Sequence, residues 1–266
     1  MGWDSTEIKK NGELPKNNWQ LGYFITSYEG NGEKNWTRNF NELRVRDMAL
    51  FALGNVNGKK ILDIGCGSGI YLDILARMGA QVSGQDISAE YVKDAIMNLR
   101  ENKFEADIKA GDAVKLLFND NYFDAVFSAD FFEHITAEQK NKVLAEAYRV
   151  LRPGGALVIK TPNLGYLKIS IWLKRICAML TFKSPFNIFI AHTHNNPDNQ
   201  HCGLTSFTEL EKFLFDNMFH VPKIIYVPLK RKKLPGVMQK LLYEKKCFTD
   251  TIIIKTRKPL FCGFFS

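Results

Sequence analysis

Closely spaced glycines follow an apolar run in this sequence, and an acidic residue stands just before them. Asp63 precedes Gly65, Gly67 and Gly69, which alternate with other residues. Glycine lets a loop turn tightly and lets its backbone approach a ligand closely. A dinucleotide site would have its third glycine where Ile70 lies here, and the acid would oppose a phosphate. The pattern therefore favours a sulfonium-bearing amino acid attached to adenosine over NAD, with Asp63 attracting its positive charge.

Two further acids follow the next two predicted strands. Asp86 ends the second strand, where a carboxylate can accept hydrogen bonds from ribose hydroxyls, and Asp112 follows the third strand, where it can meet an adenine amino group. Either residue alone could instead cap a helix, as aspartate often does. Three acids that each follow a successive strand favour a ligand site.

The predicted strands and helices must place these acids at one edge of a common sheet. Repeated βα units joined by short links predict a doubly wound, mostly parallel, seven-stranded α/β sheet with helices on both faces. We expect an N-terminal helical arm over residues 1–38 and a main domain over 39–266, with a helical insertion at 163–204 as a substrate lid. The predicted strands are Lys60–Ile64, Gln81–Gln85, Ala106–Ala110, Phe123–Ser128, Gly155–Thr161, Lys223–Pro228 and Thr249–Lys255.

Composition narrows the class of protein. The 266 residues are 45% hydrophobic, the net charge is +8, and the five cysteines form no Cys-x-x-Cys pair, so neither a disulfide framework nor a zinc site is indicated. The first twenty residues lack the apolar core of a signal peptide, and no uncharged apolar run is long enough to span a bilayer. We expect a cytoplasmic protein, and no nucleic-acid partner, because no nucleic-acid module accompanies the charge.

The sequence resembles the class I S-adenosylmethionine-dependent methyltransferases. The matching segments are Ile61–Ile70, Gly84–Ser88 with Asp86 and Ile87, Gly111–Ala113, Phe123–Ser128 and Leu151–Gly155. The resemblance implies a Rossmann-like methyltransferase fold, S-adenosyl-L-methionine as cofactor and S-adenosyl-L-homocysteine as product. It also implies that Gly65 and Gly67 line the methionine part of the cofactor, Asp86 holds the ribose, Asp112 and Ala113 bracket the adenine, and Ala129 offers backbone contacts to the methionine part.

Within that class, the sequence is most similar to the ubiquinone-type O-methyltransferases. They share a segment like Phe132-Glu133-His134-Ile135 and an arginine like that of Leu43-Arg44. The resemblance implies that Arg44 pairs with the cofactor carboxylate, although Arg44 could equally be an exposed helical charge. The insertion at 163–204 does not clearly match this subfamily.

Two histidines are candidates for the base that removes a proton from a hydroxyl acceptor. His134 lies just after the fourth strand, and His201 precedes a Phe-Thr-x-x-x-Leu helix start near which related enzymes carry a histidine. His134 could instead make only structural hydrogen bonds. His192, His194 and Asp198 lie near His201, but their spacing is no known ligand signature, so we predict no metal.

The insertion mixes apolar and basic residues. Residues 164–190 suggest either a lid packed on the core or an interfacial helix with Lys168, Lys174 and Arg175 at lipid headgroups, on the inner membrane face. We therefore expect O-methylation of a small, lipophilic or lipid-linked acceptor. The alternatives are methylation of a sugar or phosphate group of a surface-polysaccharide precursor, N-methylation, and an inactive cofactor-binding partner subunit; Ile70 speaks against a nicotinamide oxidoreductase.

Overall fold

The computed structural model describes residues 49–50, 52–180, 182, 184, 186, 188, 201–226 and 251–260. Several sequence-based expectations lie outside these residues: the arm at 1–38, Arg44, most of the helix expected at 39–54, the middle of the insertion with His192, His194 and Asp198, and a helical piece expected near 237–243. Positions 49, 50, 52 and 53 are helical, as expected.

Strands and helices alternate along most of the described chain. The strands are β1 (Lys60–Ile64), β2 (Gln81–Asp86), β3 (Asp107–Ala110), β4 (Phe123–Ala129), β5 (Leu151–Pro162), β6 (Lys223–Tyr226) and β7 (Thr251–Arg257). The helices are α1 (Ile70–Arg77), α2 (Ala89–Glu101), α3 (Ala137–Val150), α4 (Leu164–Leu180) and α5 (Phe207–Asp216), and a single 3₁₀ turn covers Phe132–His134.

The seven strands form one sheet in the order β3-β2-β1-β4-β5-β7-β6. Strands β1 to β5 run parallel to one another. Strand β7 is antiparallel to both of its neighbours, β5 and β6. The strand order reverses between β1 and β4, and open α/β sheets bind ligands at such a reversal, beyond the carboxyl ends of the strands. The mostly parallel seven-stranded sheet is thus confirmed.

Each face of the sheet has its own apolar cluster. Leu72 of α1 and Ala95 of α2 pack with Ile61 of β1 on one face, whereas Leu144 of α3 and Leu210 of α5 pack with other strand residues on the opposite face. Alternate residues of a strand point to opposite faces, so β1 contributes to both clusters. The sheet is therefore doubly wound, and the loops at its carboxyl edge are held from both sides.

Strand β5 is longer at its start than the expected Gly155–Thr161. It begins at Leu151, directly after α3, because Leu151 pairs with Phe123 before an irregularity in the β4–β5 register. Residues 151–154, which precede the expected strand, are therefore part of β5, with Gly154 at a φ of 77°.

Two capping boxes fix the helices that follow the site. The Thr136 side chain accepts a hydrogen bond from the Gln139 backbone at the start of α3, and Ser206 does the same with Glu209 at the start of α5. Capping boxes satisfy backbone donors that a helix start leaves unpaired. They therefore set the chain direction two residues after His134 and five residues after His201.

Candidate functional site

The three glycines after β1 all have positive φ, at 72°, 51° and 85° for Gly65, Gly67 and Gly69. A Cβ at Gly65 would lie 2.5 Å from the ring of Phe131, and one at Gly69 would lie 2.9 Å from the Cβ of Ala95. A Cβ at Gly67 would meet nothing within 4 Å. Gly65 and Gly69 are therefore required by packing, whereas the space above Gly67 is open to a ligand.

Asp86 ties the glycine loop to the end of β2. Its two carboxylate oxygens accept hydrogen bonds from the backbone N–H of Gly67 and of Ser88, each at 2.9 Å. The N-cap of α2 is Ser88, whose hydroxyl accepts from the N–H of Tyr91, so the alternative that Asp86 is a helix cap is wrong. A carboxylate has about four lone-pair positions. Asp86 therefore retains acceptors for ribose hydroxyls while it holds the loop in place.

Asp63 is the most deeply buried acid of the site. It is 1% exposed, and neither carboxylate oxygen has a hydrogen-bond partner among the described residues. Burial, and to a smaller extent the charge of Asp86, raise the pKa of Asp63 well above its usual range. A buried polar group without a partner is unfavourable unless a ligand completes it. The cofactor's ammonium group is such a ligand, so these residues fit the methionine end of S-adenosylmethionine.

The loop after β3 lies where the adenine is expected. Asp112 is exposed and its carboxylate accepts from the N–H of Val114 at 3.0 Å, whereas Ala113 is buried. The next described element after Asp112 is the strand β4, so Asp112 caps no helix. Ile87 is 74% exposed beside Asp86, as an apolar wall for a base would be.

Gln85 positions that loop, although sequence reasoning did not single it out. Its buried side-chain amide donates to the carbonyl oxygens of Asp112 and Lys115 and accepts from the N–H of Leu117, at 3.0, 3.1 and 2.9 Å. The available signal was a polar side chain inside an otherwise buried strand. Gln85 fastens the loop after β3 to β2.

The end of β4 is joined to both neighbouring strands. Ala129 is buried, and the preceding Ser128 donates to the carbonyl of Ile64 in β1 at 3.0 Å. Asp130 follows with a φ of 54°, its N–H donates to the carbonyl of Lys160, and its carboxylate pairs with the Lys160 ammonium. Backbone strain of this kind in a residue other than glycine is concentrated at functional sites.

Sequence reasoning missed two neighbouring residues, the buried Lys160 and the half-buried Tyr71. Burial opposes the charge of Lys160, but Tyr71 and Asp130 outweigh it and raise the pKa of Lys160 above its usual value. Burial raises the pKa of Tyr71 to about 12, so its phenol keeps its proton at neutral pH. The signal for Lys160 was a charge at the end of the apolar run of β5. Lys160 and Asp130 therefore form an ion pair at the carboxyl edge, beside the neutral Tyr71.

The two candidate histidines lie together. His134 is exposed at the end of the 3₁₀ turn, His201 is half-buried, and their ring centroids are 4.9 Å apart. Phe131, three residues before His134, packs over Gly65, so the histidines follow a turn that contacts the glycine loop. Glu133 is buried beside them and accepts from the Thr161 hydroxyl at 3.1 Å. The structure thus brings together two residues that lie 67 positions apart in the sequence.

Glu133, His134 and His201 also offer metal-ligand atoms within 4.8 Å of one another. Carboxylate and imidazole donors suit several divalent ions. The expectation that no metal is needed remains a prediction, and the roles assigned to the site residues remain predictions as well.

Comparison with known proteins identifies the domain. Residues 62–159 match a family model described as a methyltransferase domain. The chain is 35% identical over 107 residues to the ubiquinone biosynthesis O-methyltransferase of Maricaulis maris, covering 40% of this chain and 41% of that protein. It is 32% identical over 161 residues to the enzyme of the same name from Thiobacillus denitrificans, covering 60% of this chain and 64% of that protein. The chain thus spans less than two thirds of these relatives.

A solved structure shows the same fold. A SAM-dependent methyltransferase from Archaeoglobus fulgidus superposes with a TM-score of 0.55 at 19% identity, covering 89% of this chain and 99% of that one. This likeness confirms the Rossmann-like methyltransferase fold, and the family match confirms a methyltransferase domain over residues 62–159, with S-adenosylmethionine as its cofactor.

Proposed function

We propose that this chain, through its methyltransferase domain, transfers a methyl group from S-adenosylmethionine to an oxygen of a small, lipophilic or lipid-linked acceptor. The observation that carries the proposal is the contact between His134 and His201 at the sheet edge that also bears the open glycine loop. The similarity to ubiquinone biosynthesis O-methyltransferases supports the choice of oxygen.

The residues of the cofactor site have separate tasks. S-adenosylmethionine, when bound, supplies a methyl group already activated on a sulfonium, so the protein mainly has to align the donor and the acceptor. Asp63 would hold the ammonium, Asp86 the ribose, and the loop at 112–113 the adenine. The fixed tie between Asp86 and Gly67 keeps the loop open before the cofactor arrives.

The acceptor hydroxyl must lose its proton as the bond to carbon forms. An imidazole is suited to accept that proton near neutral pH. His134 is exposed and can reach an acceptor, whereas His201 is half-buried against it and can orient it. We assign His134 as the base and His201 as its neighbour in the acceptor site.

Calorimetry and product analysis test this function. We expect the purified full chain to bind S-adenosylmethionine. Offered a soluble catechol, an amine and a sugar phosphate in separate reactions, it should methylate the catechol, with the added mass located on oxygen by mass spectrometry. Failure of the unmutated chain to bind the cofactor would refute the proposal. A product methylated on nitrogen or phosphate would replace the acceptor class, and slow turnover with every acceptor tried would favour an inactive partner subunit.

We also propose that α4 contacts a membrane surface. Trp172 is 63% exposed and Leu180 75% exposed, and the 17-residue helix carries three basic residues but no acidic one. An exposed apolar surface with flanking cations matches an anionic interface. No helix in the described part of the chain has the length and apolarity to cross a bilayer.

Vesicle flotation tests the membrane contact. We expect binding to phosphatidylglycerol vesicles, weaker binding to phosphatidylcholine vesicles, and loss of affinity by about tenfold for Trp172→Ser. Met97→Ser is the matched control, because Met97 is an exposed apolar residue on α2. Equal binding of the wild type and Trp172→Ser would contradict the proposal.

A further inference from the structure

Residues 201–205, hereafter the strap, lie against the turn that carries His134. The N–H of Gly203 donates to the carbonyl of Glu133 at 2.8 Å, and the Cys202 thiol donates to the carbonyl of His134 at 3.1 Å. Farther along, the carbonyl of Thr205 accepts from the N–H of Leu164 at the start of α4. Hydrogen bonds therefore hold the strap at Gly203 and at residues on both sides of it. His201 is the first residue of the strap.

A buried cation completes this attachment. Lys140 of α3 is 1% exposed, and its ammonium donates to the carbonyl of Gly203. Burial lowers the pKa of Lys140, while Cys202 and Glu133 act in the opposite direction. Burying a lysine is costly unless its donors are satisfied, so a surface role does not explain its position. Lys142, on the same helix, shows the ordinary arrangement, exposed and paired with Glu138.

Gly203 leaves no room for a side chain. A Cβ there would lie 1.8 Å from the carbonyl oxygen of Ile135 and 2.7 Å from the Lys140 ammonium. The ammonium belongs to the attachment itself, and the Ile135 oxygen is backbone, which cannot move aside without moving the His134 turn. Any larger residue must therefore lift the strap from the turn.

We propose that Lys140 and Gly203 are positioning residues that fasten the strap to the 133–135 turn and so hold the His201 ring against His134. The proposal rests on the acceptor site described above, because it explains how two histidines from distant parts of the chain form one site. Neither residue touches the acceptor; both act through His201.

Two substitutions release the strap in different ways. Lys140→Met keeps the length and burial of the side chain but removes the donor to Gly203, whereas Gly203→Ala introduces the clash with Ile135. Lys142→Met is the matched control on the same helix. In protein with labelled histidines, we expect a nuclear Overhauser contact between the two imidazole rings in the wild type and in Lys142→Met, and its loss in both release variants.

Amide hydrogen exchange gives a second measurement, and its wild-type part needs no variant. The Gly203 N–H should be protected in the wild type, and its protection should fall by about 10–100-fold in Lys140→Met, as expected for losing a hydrogen bond from a charged donor. Rapid exchange of this amide in the wild type would overturn the proposal even if a variant failed to fold. Retention of the ring contact in folded Lys140→Met and Gly203→Ala would overturn it too.

Kinetics then separate positioning from general stability. With the catechol as acceptor, kcat should fall in Lys140→Met as it does in His201→Ala, and the double variant should lose no more than His201→Ala alone. Additive losses would refute action through His201. Affinity for S-adenosylmethionine should change less than threefold, about 0.7 kcal/mol or less. Because the ring contact and amide protection require no acceptor, they can hold when methyl transfer fails, so the two proposals fail independently.

Discussion

Replacing Asp63 by asparagine removes the ionisable group from the most deeply buried acid of the site while keeping its size and polarity. In the folded protein without ligand, burial raises the pKa of Asp63, so the carboxyl keeps its proton to a higher pH than in the unfolded chain. This contribution to stability is complete below the unfolded pKa of about 4 and is lost as the pH rises through the folded pKa. Asparagine has no such pH dependence.

The size of the expected difference in Tm follows from the missing hydrogen-bond partner of Asp63. An ionised buried group without a hydrogen bond costs about 1–3 kcal/mol or more, and Asp63 has no partner among the described residues. In a protein of this size each kcal/mol shifts Tm by about 2–4 °C. Wild type and Asp63→Asn should therefore melt together at about pH 3, below the unfolded pKa, and the variant should melt several degrees higher at about pH 9.

Asp63→Asn should weaken cofactor binding, although it raises the Tm at high pH. The ammonium of S-adenosylmethionine favours the ionised carboxylate, so binding to the wild type releases a proton and tightens as the pH rises. A charge-assisted hydrogen bond is worth about 1.5–3 kcal/mol, so Asp63→Asn should raise Kd by about 10–150-fold. Thermal melts and calorimetry across the pH range test both effects. Parallel melting curves with equal Kd values would refute the assignment of Asp63 to the ammonium.

Three other substitutions test the remaining parts of the site. Asp86→Ala should raise the Kd for S-adenosylmethionine by about 100-fold, because it removes the ribose acceptor and the tie to the glycine loop; an unchanged Kd by calorimetry would exclude this role. Gly67→Ala and its control Gly58→Ala have similar positive φ and no Cβ contacts, so each should lose about 1 kcal/mol of stability by denaturant titration, but only Gly67→Ala should weaken cofactor binding. His134→Ala should lower kcat by about 10²–10⁴-fold with the cofactor Kd nearly unchanged, and full turnover would remove it as the base.

Local patterns were sufficient to predict the sheet and one edge of the site. Hydrophobic runs and glycine spacing located β1, β2 and β4 to within a residue or two, and parallel strands necessarily end at a common edge. Asp63, Asp86 and Asp112 could therefore be assigned to one site without knowing any contact. The length of β5 was underestimated because its start depends on pairing with Phe123, which lies 28 residues away.

The roles of individual side chains depended on contacts that sequence does not encode locally. Asp86 could be read as a helix cap until Ser88 was found in that position. Gln85 and Lys160 were overlooked because a polar residue in a strand acquires its function only from the loop or helix packed beside it.

The sequence by itself determined the cofactor, because glycine conformation and strand-end acids are local properties that hold in any packing of this fold. Only the tertiary structure decided how the acceptor side is assembled. His134 and His201 meet because Lys140 binds a carbonyl 63 residues away and Gly203 leaves no room above Ile135. Such contacts arise from the packing of α3 against the strap, and no periodicity or spacing in the chain records them.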